Sequence, residues 1–447
     1  REEEYLIICS SDTKIPKDEA SLFRRRLIEV SAFFASFTED YDSIGNIYEA
    51  GEDTINVWII TTQGQRTSGR DQAQIIKRMI DDSFIPNTGI AVNLKLVDST
   101  VLLPATVAGR GPDVALPVGN EEPVNYAMRN ASVDLTEFDD FNEVISEFHP
   151  SAILPYRFQG GVYGLPDQQQ FPMMFYRTDI LEELGIEPPN TWEELYAILP
   201  EIQKNNMDVG VPVAANNDPW GAMLTYSTLL YQEGGKLYNK DGIPSALDTE
   251  EAIEAFKKWT NLYMNYKFPL EFDAANRFRT GEMPIVINEY WLYNVLQVFA
   301  PELRGLWEMA PIPGVLREDG TIDRSTTSGG YAVMMLSSTK HKQSSWEFMK
   351  WWVNSDTQSR YGRELESVMG ASARHPTANV VAASKLPWPV KDYNALEEQR
   401  TWVKGNPEVP GGYFTPRHLN NAFRKVVLNG ADPRETLLDY VRVINEE

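Results

Sequence analysis

Short apolar runs alternate with amphipathic stretches along the chain, and this alternation predicts a mixed α/β protein. Residues 55–60 form a run of β-branched and aromatic side chains, which is typical of a buried strand. Apolar residues at helical spacing follow over 75–80, and residues 90–96 alternate as in a strand. The pattern predicts a βαβ unit with parallel strands. Its loop 61–69 then lies at the carboxyl ends of the strands, where open α/β sheets bind ligands.

Helix start signals predict further helices in the later half of the chain. Residues 191–194, Thr-Trp-Glu-Glu, form a capping box, and residues 248–251 form a second one. Asp432 followed by Pro433 predicts the start of a C-terminal helix. Trp259, Trp346, Trp351 and Trp352 fall at helical spacing with other apolar residues, so we assign them to the core. The remaining predicted elements are strands over 285–288 and 331–336 and a helix over 21–38.

Length and charge narrow the function classes. The chain has 447 residues, which is enough for two or three cores of ordinary domain size. It carries 64 acidic against 41 basic residues, a net charge of -23, and such a field repels phosphate backbones and anionic lipid headgroups. We therefore expect no nucleic-acid partner. The 11 Trp and 20 Tyr leave spare aromatic surface for a flat, hydroxylated ligand.

Metal and catalytic motifs are absent from the sequence. The single cysteine, Cys9, excludes an internal disulfide and a cysteine-based zinc site, and the four histidines are far apart. We therefore expect neither a metal nor a cofactor. No GxSxG, GxxxxGK[ST] or HExxH motif occurs. A pair of carboxylates in a cleft would suffice for glycoside hydrolysis, so an enzyme of that kind stays an alternative.

Eight short motifs occur in the order found in one family. Together they span residues from about Thr54 to the end of the chain, so their combination is specific although each is weak alone. They are Gly111-Pro-Asp113; Gly161-Val-Tyr-Gly-Leu-Pro166; Met174-Phe-Tyr-Arg-Thr-Asp179 with Leu184-Gly185; Pro188-Pro-Asn-Thr-Trp-Glu-Glu194; Phe278-Arg-Thr-Gly281 with Ile287-Asn288 and Trp291; Ala310-Pro-Ile-Pro313; Gly329-Gly330; and Trp346-Glu-Phe-Met-Lys-Trp-Trp352. The chain resembles the extracellular solute-binding proteins of carbohydrate ABC importers, the maltose-binding-protein-like family.

The resemblance implies an α/β, two-lobed periplasmic-binding-protein-like fold of type II, with crossing hinge strands and a ligand cleft between the lobes. The boundaries we expect are an N-terminal helical extension over 1–52, lobe 1 over 53–168 and 328–411, and lobe 2 over 169–327 and 412–447. The function implied is the binding of a carbohydrate without catalysis and its delivery to a membrane permease. We expect a monomer at the cell surface or in the periplasm, with an export signal and any lipid anchor upstream of Arg1.

Sugars present apolar C–H faces and a rim of hydroxyls, so their sites combine aromatic rings with amides or carboxylates. The segment Asn216–Trp220 offers Asp218 and Trp220, where relatives carry a carboxylate and a stacking ring. Trp291 matches another stacking ring, and its neighbour Tyr290 is a weaker candidate. Core burial of Trp220 stays the alternative. A last group matches the family only by position or chemistry: Asp167, Gln169 and Gln170 near the first crossing; Thr61, Thr62 and Gln63; Asn120; Gly330 and Tyr331; and Tyr413 and Arg417.

Two alternatives remain open for this group. The glutamines after Asp167 are either satisfied by a ligand or part of a solvated linker. Gly330 either allows a ligand to approach the backbone or serves a tight strand crossing. A peptide or another polar solute is the alternative cargo, and a fixed charge facing a ligand terminus would favour it.

Overall fold

The computed structural model describes residues 53–61, 69–213, 220–239 and 244–446, without the side chains of residues 220–222. All of these lie in the unit Ile44–Glu447. The helix predicted over 21–38 lies outside them. The strands are β1 (Ile55–Thr61), β2 (Val92–Asp98), β3 (Val114–Gly119), β4 (Arg157–Phe158), β5 (Gly161–Val162), β6 (Leu165–Gln170), β7 (Pro172–Arg177), β8 (Val209–Gly210), β9 (Ile285–Glu289), β10 (Trp307–Ala310), β11 (Val315–Leu316), β12 (Ile322–Asp323) and β13 (Gly329–Met335).

Helices surround these strands, so the protein is α/β throughout the described chain. A π-helical turn, Ile80–Phe84, joins the first two helices, and short 3-10 helices lie at Leu135–Glu137, Leu154–Tyr156, Pro301–Leu303 and Ala371–Ala373. The α-helices are α1 (Arg70–Met79), α2 (Ile85–Thr88), α3 (Ser99–Val107), α4 (Glu122–Ala127), α5 (Phe141–Ile145), α6 (Pro150–Ile153), α7 (Thr178–Leu184), α8 (Trp192–Lys204), α9 (Trp220–Gln232), α10 (Glu250–Met264), α11 (Ala274–Thr280), α12 (Trp291–Phe299), α13 (Lys342–Val353), α14 (Ser355–Met369), α15 (Val380–Lys385), α16 (Val390–Arg400), α17 (Phe414–Asn429) and α18 (Pro433–Glu446).

Two sheets form the frames of the two lobes. The first has the strand order β2-β1-β3-β13-β6, and the second has the order β10-β7-β9-β8. Strand β1 pairs in parallel with β2, from Ile55 opposite Val92 to Thr61 opposite Asp98, which confirms the predicted βαβ unit. Only Phe171 separates β6 of the first sheet from β7 of the second, so the chain crosses between the sheets at this residue.

Alternation along the second sheet separates two cores. Met174 of β7 and Ile285 of β9 face a cluster that also contains α10 and α17. Met173 and Phe175 of β7 face the opposite cluster, which includes α12. Successive strand residues point to opposite faces, so both faces of this sheet are covered. A separate cluster packs around the first sheet, and Trp346 and Trp352 lie in it at 0% and 1% exposure, which confirms their assignment to the core.

Two of the predicted helix starts are confirmed and one is displaced. Thr191 caps α8, because its hydroxyl accepts a hydrogen bond from the Glu194 amide at 3.1 Å. Asp432 caps α18 in the same way through the Glu435 amide at 2.8 Å. The cap of α10 is Thr249 and not Asp248, since the Ala252 amide donates to the Thr249 hydroxyl. The predicted box was therefore wrong by one residue.

The residues around 396–403 pack on the second sheet, although the expected boundaries place them in lobe 1. Leu396 and Val403 belong to the cluster that contains Phe171 and Met173. The Gln399 amide holds α16 there, because its oxygen accepts from the Ile312 amide at 2.9 Å and its nitrogen donates to the Arg324 carbonyl at 3.0 Å. The lobe boundaries themselves stay predictions.

Candidate ligand-binding site

A cavity of about 500 Å³ lies between the two sheets. Residues at the ends of β3, β6 and β13 of the first sheet and of β9 of the second sheet line it. Helix α9 and the segments around residues 212 and 406 complete the wall. The lining residues are Gly119, Asn120, Glu121, Gln170, Pro212, Val213, Met223, Leu224, Asn288, Glu289, Thr327, Ser328, Gly329, Gly330, Tyr331 and Asn406.

Strand register brings these ends together. Strand β3 runs parallel to β1 and ends at Gly119, which lies opposite Tyr331 of the antiparallel β13. Gly329, the first residue of β13, lies opposite Gln170, the last residue of β6. The carboxyl end of β3 therefore meets the start of β13 and the end of β6. This is the edge of an α/β sheet where ligands bind.

Gly330 is a glycine because two strands approach closely there. A Cβ atom on it would lie 2.1 Å from the backbone oxygen of Gln168. The strand crossing that the sequence offered as an alternative thus explains the residue, and its backbone also lines the cavity. Asn120 fixes this backbone when its amide nitrogen donates to the Gly330 carbonyl at 3.1 Å and its oxygen accepts from the Gly330 amide at 3.3 Å.

Two buried side-chain oxygens at the cavity have no protein partner among the described residues. They are the side-chain oxygens of Gln170 and Thr327, and Thr327 is only 2% exposed. An unsatisfied buried polar atom costs about 1–3 kcal/mol, so native proteins leave few of them without a ligand or water. A ligand with hydroxyl groups would supply the missing partners.

The charged residues of this cavity are all acidic within the described chain. Glu121 and Glu289 line it, and no lysine or arginine does. Glu122 follows Glu121 in the chain, and burial and repulsion from Glu121 raise the pKa of its carboxyl to about 7. The arrangement favours neutral or cationic ligands over anionic ones.

The structure brings four predicted residues to the cavity: Asn120, Gln170, Gly330 and Tyr331. Tyr413 and Arg417 line an adjoining cavity that shares part of its wall. Thr62, Gln63 and Asp218 lie outside the described residues, as does the side chain of Trp220, although Trp220 begins α9. Thr61 ends β1 and is not among the residues that line either cavity.

Asp167 and Gln169 are buried on the opposite side of β6 from the central cavity lining. Asp167 is 2% exposed and accepts hydrogen bonds from the Trp352 indole at 2.8 Å and from the Gln358 amide at 3.3 Å. The Gln169 amide donates to the hydroxyls of Ser151 and Ser328. Residues two apart on a strand share a face, so both side chains hold β6 in place and do not reach the cavity.

The two aromatic residues after β9 also lie outside the described cavity lining. Tyr290 is 3% exposed, packs on Phe171, and donates its hydroxyl to the backbone oxygen of Gln169. Trp291 is the first residue of α12 and is half-buried. The strand ends at Glu289 and a helix begins, so the polar pair Asn288 and Glu289 reaches the cavity in place of the rings.

Sequence reasoning missed several lining residues besides this pair. Glu121 follows the predicted Asn120 directly, and Thr327 and Ser328 precede the Gly329-Gly330 motif. A search of polar residues flanking these motifs would have found them. Asn406 and Met223 carry no such signal, because tertiary packing alone brings them to the site.

Two negative observations concern only the residues described above. No group of three or more His, Cys, Asp or Glu side chains could hold a metal ion there. No helix in the same ranges has the length and apolar character needed to span a membrane.

The two-lobed fold and its central cavity define a binding protein, and sequence comparison gives the family. Residues 69–359 match the family described as bacterial extracellular solute-binding protein. The chain belongs to this family.

Relatives and solved structures agree with this assignment. A binding protein of Brucella abortus is 25% identical over 288 residues, covering 62% of this chain and 67% of its own. The lactose-binding protein of Rhizobium radiobacter is 24% identical over 199 residues, covering 43% and 45%. The sugar-binding protein MalE of Xanthomonas citri has a similar structure, with a TM-score of 0.73, 18% identity and coverage of 88% and 96%.

Proposed function

We propose that this protein binds a carbohydrate, most simply an oligosaccharide, in the central cavity and does not transform it. The observation that carries this proposal is the pair of unpartnered oxygens of Gln170 and Thr327 in a cavity lined by amides, hydroxyls and carboxylates. Such groups hydrogen-bond the hydroxyl rim of a sugar. The sugar ligands named for the Rhizobium and Xanthomonas relatives support the same class of cargo.

The site suggests how binding is signalled. The lining comes from both sheets, with Asn120 on one side and Asn288 on the other. A ligand that contacts both lobes stabilises the closed arrangement by its differential affinity for the two states. We propose that the permease of an ABC importer recognises this closed form.

The family's extracellular character supports a location at the cell surface or in the periplasm. We propose further that the protein acts there as a monomer held by a lipid anchor. Light scattering coupled to gel filtration measures the first point, and a stable dimer at micromolar concentration would contradict it. Mass spectrometry of the protein isolated from its native membrane measures the second, since an unmodified N-terminus would contradict the anchor.

Isothermal titration calorimetry against a panel of mono- and oligosaccharides tests the proposal. We expect Gln170→Ala and Thr327→Val each to weaken binding about tenfold, which is the effect of removing one well-placed hydrogen bond. Gln343→Ala is the matched control, because Gln343 is exposed on α13, away from the cavity. No binding to any sugar, or equal binding by all variants, contradicts the proposal.

An enzyme remains the second candidate, because Glu121 and Glu289 both line the central cavity. Glycoside hydrolysis needs two carboxyl groups across a scissile bond. Incubation with the best-binding oligosaccharide and an assay for new reducing ends separates the two functions. Accumulation of reducing ends that Glu289→Gln abolishes would make the protein a hydrolase.

A peptide or amino-acid cargo is less well supported. Such ligands carry a carboxylate that needs a fixed cation. The described lining of the central cavity offers acidic and neutral groups only.

A further inference from the structure

A second cavity of about 520 Å³ adjoins the central one. The two share Glu121, Met223 and Asn406, so a single extended ligand could occupy both. The start of α17 and the segment before it form most of the remaining wall. Its other lining residues are Leu237, Tyr238, Pro407, Glu408, Gly412, Tyr413, Pro416, Arg417, Asn420, Asn421 and Arg424.

Asn406 lies where the two cavities meet, and its side-chain amide nitrogen is available to donate a hydrogen bond to a ligand. It is only 6% exposed, and its oxygen accepts a hydrogen bond from the Tyr231 hydroxyl at 2.7 Å. This bond orients the amide. Asn406 lines both cavities, and its nitrogen has no hydrogen-bond partner among the residues the structure describes.

Two carboxylates at the second cavity are uncompensated. Within the described chain, neither Glu121 nor Glu408 accepts a side-chain hydrogen bond or forms an ion pair. Burial, and then repulsion from Glu121, raise the pKa of Glu408 to about 8. Holding such a pair together is unfavourable unless a positive charge or a proton accompanies it.

The cations of the same cavity do not supply this charge. Arg417 and Arg424 lie on α17 and line the cavity, yet neither is ion-paired to Glu121 or Glu408. Arg424 has other partners. The remaining titratable groups there are the phenols of Tyr238 and Tyr413, and Tyr238 donates its hydroxyl to Thr415 at 2.8 Å. Within the described residues, then, no cation is paired with either carboxyl group.

We propose that the second cavity is a subsite for a sugar residue that carries a protonated amine, with Glu408 as the residue that determines this specificity. The proposal rests on the carbohydrate-binding function proposed above and deepens it. The ammonium group lies against Glu408 and Glu121, and Asn406 donates to the oxygen that links this sugar to the one in the central cavity. At the Glu408 end of the cavity, repulsion from Glu121 disfavours a uronic acid.

Binding is also coupled to a proton. Glu408 is largely protonated at about pH 7, because its pKa lies near 8. An ammonium group favours the ionised carboxylate, so binding of the amino sugar at about pH 7 releases a proton from Glu408. A neutral sugar of the same length binds without this release.

The experiment uses matched α- and β-linked di- and trisaccharides in three forms: neutral, 2-amino and uronic acid. Affinities are measured by titration calorimetry with a chelator present. Each titration is run once in phosphate buffer and once in HEPES buffer. We expect the 2-amino form to bind at least about tenfold more tightly than the neutral one, with proton release, and the uronic acid to bind most weakly. Glu408→Gln removes the preference and the proton release. Glu318→Gln, an exposed loop residue, retains both.

Glu408→Asp guards against a folding defect, because it keeps the charge and retains a preference for amine over uronic acid. If neutral sugars bind but amino sugars bind no more tightly, or if Glu408→Gln changes nothing, the subsite proposal is overturned and the proposed function stands. If no sugar binds, both are overturned. If Ca²⁺ alone, without chelator, stabilises the wild type but not Glu408→Gln, the carboxylates form a metal site and the proposal fails.

Discussion

Asp167 is a buried carboxylate without a cation, and its replacement by asparagine should stabilise the protein at neutral and alkaline pH. Within the described residues its partners are three N–H donors: the Trp352 indole at 2.8 Å, and the amides of Gln358 and Gln168, both at 3.3 Å. Burial outweighs these bonds and raises the pKa of Asp167 from 3.8 to about 6. The charged form is therefore less favourable in the folded state than in the unfolded chain.

The sign and size of the effect follow from this shift. The folded pKa lies above the unfolded value, so protonation favours the folded state. This contribution is fully present below pH 3.8 and is lost as the pH rises through about 6. A rise of the pKa from 3.8 to about 6 corresponds to about 3 kcal/mol. Asp167→Asn abolishes the titration, so the free energy of unfolding of the variant minus that of wild type should increase by about 1–3 kcal/mol between acidic and alkaline pH.

The site can accept the introduced amide. The oxygen of Gln168 is buried and has no partner in the described structure. Rotation of the Gln168 amide by half a turn would let this oxygen accept from the introduced N–H₂, while the remaining oxygen keeps the bonds from Trp352 and Gln358. After this rotation the Gln168 nitrogen takes the place of the oxygen that had no partner, so the number of unpartnered Gln168 atoms is unchanged.

Urea unfolding of both proteins, followed by circular dichroism at several pH values, measures this difference. His375 is buried nearby with its pKa lowered to about 3, but it is present in both proteins and cancels in the subtraction. Asp139→Asn, at an exposed position, controls for the change in net charge. Parallel pH profiles for wild type and Asp167→Asn would refute the argument.

Three further substitutions test individual contacts. Gly330→Ala places a methyl group 2.1 Å from the Gln168 carbonyl oxygen, so we expect a lower melting temperature and weaker sugar binding; wild-type behaviour in both assays would contradict the close crossing. Thr191→Ala removes the cap of α8 and should cost about 1 kcal/mol in urea unfolding, with Thr401→Ala on the surface as control. Trp346→Phe keeps the stacking partner of Phe138 but loses the indole hydrogen bond to Asp140, and a loss of about 1 kcal/mol is expected; an unchanged unfolding midpoint would argue against that bond.

Local patterns were sufficient to predict several elements of the fold. The apolar run at 55–60 and the alternation at 90–96 predicted β1 and β2 correctly, because a strand can be recognised from the apolar or polar character of consecutive residues. The caps Thr191 and Asp432 were likewise visible, because capping depends on residues three apart. The start of α10 was misplaced because Asp248 and Thr249 are both good caps, and only the packing of the helix selects between them.

The candidate site was predicted only in part, and the reason is physical. Asn120, Gln170 and Gly330 lie at strand ends, where position follows from topology. Trp291 and Tyr290 were chosen for their ring chemistry, but the turn from β9 into α12 directs Tyr290 into the core and exposes Asn288 and Glu289 to the cavity instead. Asn406 lies more than two hundred residues beyond Gln170 in the sequence, yet both line the cavity. No local sequence pattern predicts a contact between residues so far apart.

The crossing at Phe171 joins the two sheets through a single residue, and we expect the two lobes to rotate about this point. Phe171 is fully buried, touches the Tyr290 ring, and lies under the Arg400 guanidinium. Displacements in a rotation grow with distance from its axis, so a few degrees at this packed point hardly disturb the nearby Gln170. Parts of the lobes far from this point move through a much longer arc. The end of a long ligand that lies far from Phe171 would therefore be displaced most by the rotation. The end that lies near Gln170 would keep its contacts.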